Sequence, residues 1–308
     1  MRILLTGASS FTGYWFANAL AAAGHAVIAT TRRPLADYVD LRARRLASAR
    51  DAGVTIAEGC TFGDDRFLEL IGEVDVVCHH GAEVTDYHSL DFDVAAALSR
   101  NTASIRSVME RCSDVGIASF IGTGSVFEHD EGLGEAPLRA FSPYGLSKGL
   151  TWQVQRYWAG HAGVPIGKFV IPNPFGPFEE ARFCGYLMRK WANGETAEVR
   201  TPDYVRDNIP VDLLAHAYVQ FVEECARSRC GGHCAPSGYI ESQGRFAQRF
   251  AHEIGGRLGL AAELLLARQT EFAEPVMRTN SQVRRNDWNE AASWDAAADY
   301  YKLHYLSA

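Results

Sequence analysis

No run of apolar residues in this 308-residue chain is long enough to span a bilayer. Nor is there room for a signal peptide ahead of the first strand-like run, which starts at Arg2, so a cytoplasmic protein is the expectation. Basic excess is also lacking. The formal net charge of −7 argues against nucleic acid as a general partner. The seven cysteines are odd in number and scattered, which suits free thiols and not a disulfide framework. Their one tight cluster, with Cys225, Cys230, His233 and Cys234, lacks the second, separated pair of a structural zinc site. Gly231-Gly232 ahead of His233 suits a turn leading into a strand, and no metal is expected. Internal repeats and low-complexity linkers are absent as well. What remains is a soluble globular composition with enough chain for one large core or two modest ones.

The N-terminus carries the first positive signal. Arg2-Ile3-Leu4-Leu5-Thr6 runs straight into Gly7-Ala8-Ser9-Ser10-Phe11-Thr12-Gly13 and then into Tyr14-Trp15-Phe16-Ala17-Asn18-Ala19-Leu20. The pattern is strand, tight turn, helix. At such a turn Gly7 permits backbone angles barred to other residues, Gly13 lets the helix lie close on the sheet, and the unpaired N–H groups of the helix start hold a pyrophosphate. The usual fingerprint has a third glycine where this chain has Ser10, which crowds the phosphate side of the turn.

Apolar runs at 2–6, 26–30, 54–58, 74–79, 118–122 and 165–171 alternate with helical spacing at 17–23, 38–51, 66–71, 101–116 and 144–162. Such alternation predicts an α/β fold with a Rossmann-type doubly wound parallel sheet, ligands lying beyond the carboxyl ends of its strands. His79-His80, at one such end, reads as a strand terminus facing a cofactor. After the Pro-rich corner Pro172-Asn173-Pro174-Phe175-Gly176-Pro177 the alternation loosens, with helices at 183–192, 213–227, 244–257 and 291–301 and strand-like pieces at 197–200 and 205–211. The expected division is a dinucleotide-binding domain over 1–172, with part of 205–235 returning to it, and a smaller mixed α/β substrate lobe over 173–308.

Tyr144-Gly145-Leu146-Ser147-Lys148 then acquires meaning from its place in this order. The chain resembles the extended short-chain dehydrogenase/reductase family, in particular its nucleotide-sugar epimerase, dehydratase and reductase branch. The resemblance covers most of the length. It rests on 6–13 (the family's glycine-rich turn, apart from Ser10), 75–82 (DVVCHHGA), the Asn-led helix from Asn101, and 121–128 (IGTGSVFE). That last stretch is similar to an active-site strand that commonly ends Val-Tyr-Gly. Tyr144 and Lys148 match the Tyr-x-x-x-Lys pair, 173–177 the Asn-Val-Tyr-Gly-Pro corner, and 206–212 the Arg-Asp-Phe-x-x-Val-Asp segment.

The resemblance implies an oxidoreductase in which Thr123, Tyr144 and Lys148 are catalytic. A free phenol titrates near ~10, so a neighbouring ammonium must favour its phenolate before Tyr144 can exchange a proton with a sugar hydroxyl or carbonyl. Cofactor contacts are implied for Gly7, Ser9, Ser10, Phe11, Gly13, Thr31, Arg32, Arg33, Asp64, His79, Gly81, Ala82, Asn101 and Pro172, together with Tyr144 and Lys148. Asp64 stands for the family's contact to the adenine amine, and Asn101 for an organiser of the site. Substrate contacts are implied for Ser125, Asn173 and Arg206, the arginine facing the nucleotide diphosphate. Where an NAD enzyme commonly has an acidic residue after its second strand, this chain reads Thr30-Thr31-Arg32-Arg33, which suits the extra phosphate of NADP(H) and favours it over NAD(H). Gly124-Ser125 follow Thr123 where dehydratases have Asp-Glu, so dehydration is not expected. These readings lean to an NADPH-dependent reductase of a 4-keto-deoxysugar nucleotide. An NAD-dependent nucleotide-sugar 4-epimerase is the alternative, and a non-catalytic cofactor sensor is the reading from another class. The expected partners are a nucleotide sugar and, by family analogy, a second copy of the chain in a homodimer; neither a membrane nor nucleic acid is expected.

Overall fold

A computed structural model describes residues 1–283 and 287–306. The chain divides into two compact units, one of residues 1–131, 138–171 and 215–235, the other of 132–137, 172–214 and 236–308.

The first unit alternates strand and helix: β1 (Arg2–Thr6), α1 (Phe11–Ala22), β2 (Ala26–Thr31), α2 (Asp40–Asp51), β3 (Thr55–Glu58), α3 (Asp65–Ile71), β4 (Val76–His79), α4 (Val94–Asn101), α5 (Ile105–Val115), β5 (Ser119–Ser125) and α6 (Pro143–Ala162). The strands Ile166–Ile171 and His233–Cys234 complete a seven-stranded sheet, every neighbouring pair of which is parallel. From β1 the order runs through β2 to β3 on one side and through β4 and β5 to Ile166–Ile171 and His233–Cys234 on the other. The winding direction therefore reverses at β1, and the crevice between the carboxyl ends of β1 and β4 is the ligand position of this fold. Burial on both faces explains why β4 and β5 are buried at every residue. This is the Rossmann-type sheet expected from the alternation. One expected helix differs: within 101–116 only α5 (Ile105–Val115) is helical beyond Asn101, the last residue of α4, because Ser104 takes a left-handed backbone (φ 50°) that separates the two.

The second unit is the smaller mixed α/β lobe. Its sheet is centred on Val205–Pro210, which pairs antiparallel with Tyr239–Ser242 and parallel with both Met277–Thr279 and Asn173–Phe175. Beneath it Phe175, Trp191, Tyr239, Phe246, Phe250, Trp294 and Tyr301 form one buried aromatic cluster. The fully buried Phe250 ring meets those of Trp294 and Tyr301 edge-on, at 6.1 and 5.5 Å. Truncating such a ring costs about 3–5 kcal/mol. Among the described residues no helix is long and apolar enough to cross a membrane.

Glu179 is buried at the edge of this cluster, accepting a hydrogen bond from the Tyr301 hydroxyl at 2.8 Å. Burial pushes its carboxyl up to about 8. The folded chain therefore keeps a proton that the unfolded chain releases above the ordinary carboxylate range. Between that range and about pH 8, this site makes stability fall as pH rises, by up to about 1.4 kcal/mol per pH unit. Glu179→Gln is expected to abolish that slope, so that urea titrations at a series of pH values show the variant gaining on the wild type until about pH 8. A constant difference across the window would mean that Glu179 is ionised in the folded protein.

Candidate active site

At the switch point the Gly-rich turn is fitted to β4 by contacts that only glycine allows. Gly7 has φ +84°, and a Cβ there would lie 2.9 Å from the Gly81 backbone; a Cβ on Gly13 would lie 2.2 Å from the Gly7 carbonyl oxygen. Ser10 in the middle position is the N-cap of α1. Its hydroxyl accepts from the Gly13 N–H at 3.2 Å and donates to the Gly7 carbonyl at 2.8 Å. The serine is thus turned into the turn, and the crowding of the phosphate side expected from its side chain is relieved. The Tyr14 and Ser10 N–H groups are also spent inside the turn, on the Ser10 and Gly7 carbonyls. Those of Phe11 and Thr12, at a helix start with no intrahelical acceptor, are left for an anion. Arg45 of α2, buried below, donates to the Ser9 carbonyl at 3.2 Å.

From this turn a line of hydrogen bonds runs across the sheet. The Thr6 hydroxyl accepts from the Gly81 N–H at 2.7 Å and is 3.0 Å from His79 Nδ1. His79 Nε2 donates to the Asn101 carbonyl at 3.1 Å, and the His79 ring stacks on Phe62 at 3.8 Å. Burial drives the His79 and His80 imidazoles down to about 3, so both are neutral. The Asn101 side chain accepts from the Glu83 N–H at 2.8 Å and donates to Thr151 on α6 at 3.3 Å. Asn101 thereby ties β4, the loop after it and α6 together. Ala82 lies partly buried in that loop.

Helix α6 starts at a Ser142 cap and presents Tyr144 and Lys148 one turn apart. Tyr144 is half-buried, its ring edge-on to Tyr87 (5.4 Å) and Phe92 (6.1 Å). Lys148 is buried and donates to the Thr123 carbonyl at the end of β5. Burial lowers its ammonium to about 8, against the pull of Glu128. The Thr123 side chain is buried beside the Tyr218 phenol. Ser125 caps the next turn, its hydroxyl accepting from the Phe127 N–H at 3.2 Å.

The end of β2 does not form the phosphate clamp expected of it. The Thr31 hydroxyl donates to the Arg33 carbonyl at 2.9 Å, and the Arg33 guanidinium lies over the Tyr38 ring at 4.9 Å. Arg32 points toward the Glu83 carboxylate, 4.0 Å away. Beside β2, on β3, Glu58 brings a carboxylate that accepts from the Leu35 N–H at 2.6 Å. Asp64 caps α3, its carboxylate accepting from the Phe67 and Thr61 N–H groups at 2.8 and 2.7 Å.

The remaining predicted residues fall in the second unit. Pro172 is buried, and Asn173 pairs with Asn208 at the sheet centre. Arg206 lines a cavity of about 700 Å³ with Phe183, Tyr186, Tyr204, Gln243 and Glu274. Its guanidinium packs on the Tyr204 ring at 4.5 Å and donates to the Glu274 carboxylate at 2.8 Å and the Pro275 carbonyl at 3.0 Å. Buried Arg278 is its register partner on the adjacent strand, a residue that no sequence motif singled out. Among the described residues no group of three or more His, Cys, Asp or Glu side chains is arranged to hold a metal; His233 bonds Glu131 at 2.9 Å, Cys225 and Cys234 are buried and Cys230 is exposed.

A parallel sheet with a pyrophosphate-type turn at its switch point and a Tyr-x-x-x-Lys helix beside it defines a dinucleotide-dependent oxidoreductase of the extended short-chain type. The chain belongs to the NAD dependent epimerase/dehydratase family, whose model matches residues 3–234. Among solved structures it is similar to a mutant UDP-glucuronic acid 4-epimerase from Bacillus cereus in complex with UDP-4-deoxy-4-fluoro-glucuronic acid and NAD (18% identity, 99% and 100% of the two chains covered, TM-score 0.77). It is also similar to a UDP-glucose 4-epimerase from Stenotrophomonas maltophila with NAD and formylated UDP-arabinopyranose (16% identity, 100% of both chains, TM-score 0.77). A third similar fold is the UDP-glucose 4-epimerase of Thermus thermophilus with NAD (17% identity, 98% and 99% covered, TM-score 0.70). No match is found among curated proteins.

These findings correct the cofactor expectation. The family is NAD dependent and all three of these relatives hold NAD, so NAD replaces NADP(H). Its physical reason is the β2 end, where one arginine is stacked on a tyrosine and the other faces a carboxylate. The lean to an NADPH-dependent reductase goes with it. The turn fits NAD, since its two glycines leave room for backbone approach and the Phe11 and Thr12 N–H groups are spare for a pyrophosphate. Gly13→Ala is expected to cost about 1–3 kcal/mol and to weaken NAD binding at least tenfold, read from thermal melts and from calorimetry with NAD.

Proposed function

We propose that the protein is an NAD-dependent nucleotide-sugar 4-epimerase. The observation that carries this reading is the end of β2, where Arg33 rests on Tyr38 and Arg32 faces the Glu83 carboxylate instead of converging on one anion site, which supports an internally cycled NAD over a consumed NADPH. Bound NAD supplies a hydride acceptor and, once reduced, the donor that returns the hydride. The Phe11 and Thr12 N–H groups would hold its pyrophosphate at the turn that Gly7 and Gly13 shape, and Lys148 would bond its nicotinamide ribose. Tyr144 takes the proton of the sugar 4-hydroxyl as phenolate, favoured by the Lys148 charge, and gives it back after the keto sugar has turned its other face. Thr123 orients that oxygen. In the second unit the aromatic cavity with Arg206 supports binding of a nucleotide diphosphate, the guanidinium exchanging Glu274 for phosphate oxygens. Gly124-Ser125 supply no acid/base pair for dehydration, which agrees with epimerisation.

The test is mass spectrometry of the small molecules released on denaturing freshly purified protein, followed by proton NMR of UDP-glucose and UDP-glucuronic acid incubated with it. Near-stoichiometric NAD(H) and C4-inverted product are expected without added cofactor. Steady consumption of added NADH would sink the epimerase and favour a reductase. Tyr144→Phe should retain NAD and lose about 10²–10⁴-fold in turnover, whereas a sensor would keep its behaviour.

A further inference from the structure

Beneath the first turns of α6 lies a charge cluster that the proposed reaction does not use. Glu128, which is fully buried, stands where the resembled active-site strand commonly ends in glycine. Its carboxylate accepts from the Ser125 N–H at 2.7 Å and from Lys168 Nζ at 2.6 Å. Lys168, a charged residue in the middle of the buried strand Ile166–Ile171, also donates to Glu131, and Glu131 meets half-exposed His233 at 2.9 Å. Gly124 makes the space for this pair. A Cβ there would lie 2.6 Å from Lys168 Cε and 2.9 Å from the Glu128 carboxylate. On the other side Glu128 sits directly under α6, its Cβ 3.8 Å from where a Cβ on Gly149, the neighbour of Lys148, would be. Burying two carboxylates and an ammonium costs more than an apolar filling of the same volume, so stability alone does not account for them.

The geometry points to Glu128 as a positioning residue for the reaction: it is the buried counter-charge to Lys148, locked in place by Lys168. This rests on the reading that Lys148 serves the active site. The groups facing Lys148 are Glu128 after β5, Lys168 on its strand, neutral His79 and His80 at the end of β4, and Tyr144 on α6 itself. Of these Glu128 alone is acidic. Its charge favours the ammonium against burial while Lys168 opposes it; burial also pushes the Glu128 carboxyl up, and the two lysines pull it back down. A charged Lys148 is what the Tyr144 phenolate needs.

Four lysines in the whole chain, Lys148, Lys168, Lys190 and Lys302, make a direct test practical. The Nζ and Cε resonances of isotopically labelled lysine are assigned by single substitutions and titrated on the full-length protein. Glu128→Gln is expected to lower the Lys148 midpoint by about one pH unit or more, Lys168→Gln to raise it, and the double variant to return most of the way. Lys168→Gln keeps the test open if Glu128→Gln does not fold. Shifts of the same sign, or none, overturn the proposal, since a merely structural brace would not move the midpoint in opposite directions. In the same variants the alkaline limb of the pH profile for UDP-sugar turnover, where Lys148 loses its charge, should follow the Lys148 midpoint. A protein that turns over no UDP-sugar yet shows the opposed shifts loses the epimerase reading and keeps this coupling.

Discussion

The Thr6 hydroxyl is where the cofactor-type turn, the β4 end and helix α6 are linked by hydrogen bonds. It joins β1 to the segment after β4 by accepting from the Gly81 N–H at 2.7 Å while facing His79 Nδ1 at 3.0 Å. The backbone pairing of β1 with β4 runs up to Thr6 and His79, and the hydroxyl carries the connection one step past the last pair, to Gly81, where Gly7 makes its close approach. The bond also fixes the neutral His79 ring, which hands its other nitrogen to Asn101 and so to Thr151 on the helix of Tyr144 and Lys148. Through these links the hydroxyl connects the Gly-rich turn to helix α6. A buried polar chain of this kind stays rigid only because each of these links finds a partner.

The parts of this arrangement that were legible in the sequence are those in which a local backbone need dictates a residue type. Gly7 and Gly13 are demanded by close contacts a few residues or one strand away, and the strand-helix alternation follows from burial on both faces of the sheet. What could not be read depends on partners far along the chain. The Thr30-Thr31-Arg32-Arg33 stretch is rich in phosphate-binding groups, yet Tyr38 lies under one arginine and Glu83 faces the other, and nothing in the local pattern says so. Ser10 was conspicuous as a missing glycine, but its role as a cap needed the Gly13 N–H in place. The break at Ser104 was hidden because helical apolar spacing runs through it without Gly or Pro.

Glu128 and Lys168 illustrate the same limit from the other side. Each is an anomaly alone: a carboxylate ending an active-site strand, and an ammonium inside an apolar one. Only the parallel pairing of β5 with Ile166–Ile171 brings them to the same face, forty residues apart in sequence. Gly124, which looked like the mere loss of a dehydratase acid, turns out to be the gap that admits them.

The neutrality of His79 and His80 has a consequence for how the crevice meets a changing environment. With both imidazoles uncharged down to about 3, the floor under the Gly-rich turn presents the same field to a pyrophosphate in acidified and in alkaline surroundings. Acidification over the ordinary range therefore adds no positive charge beneath the Gly-rich turn from these two rings.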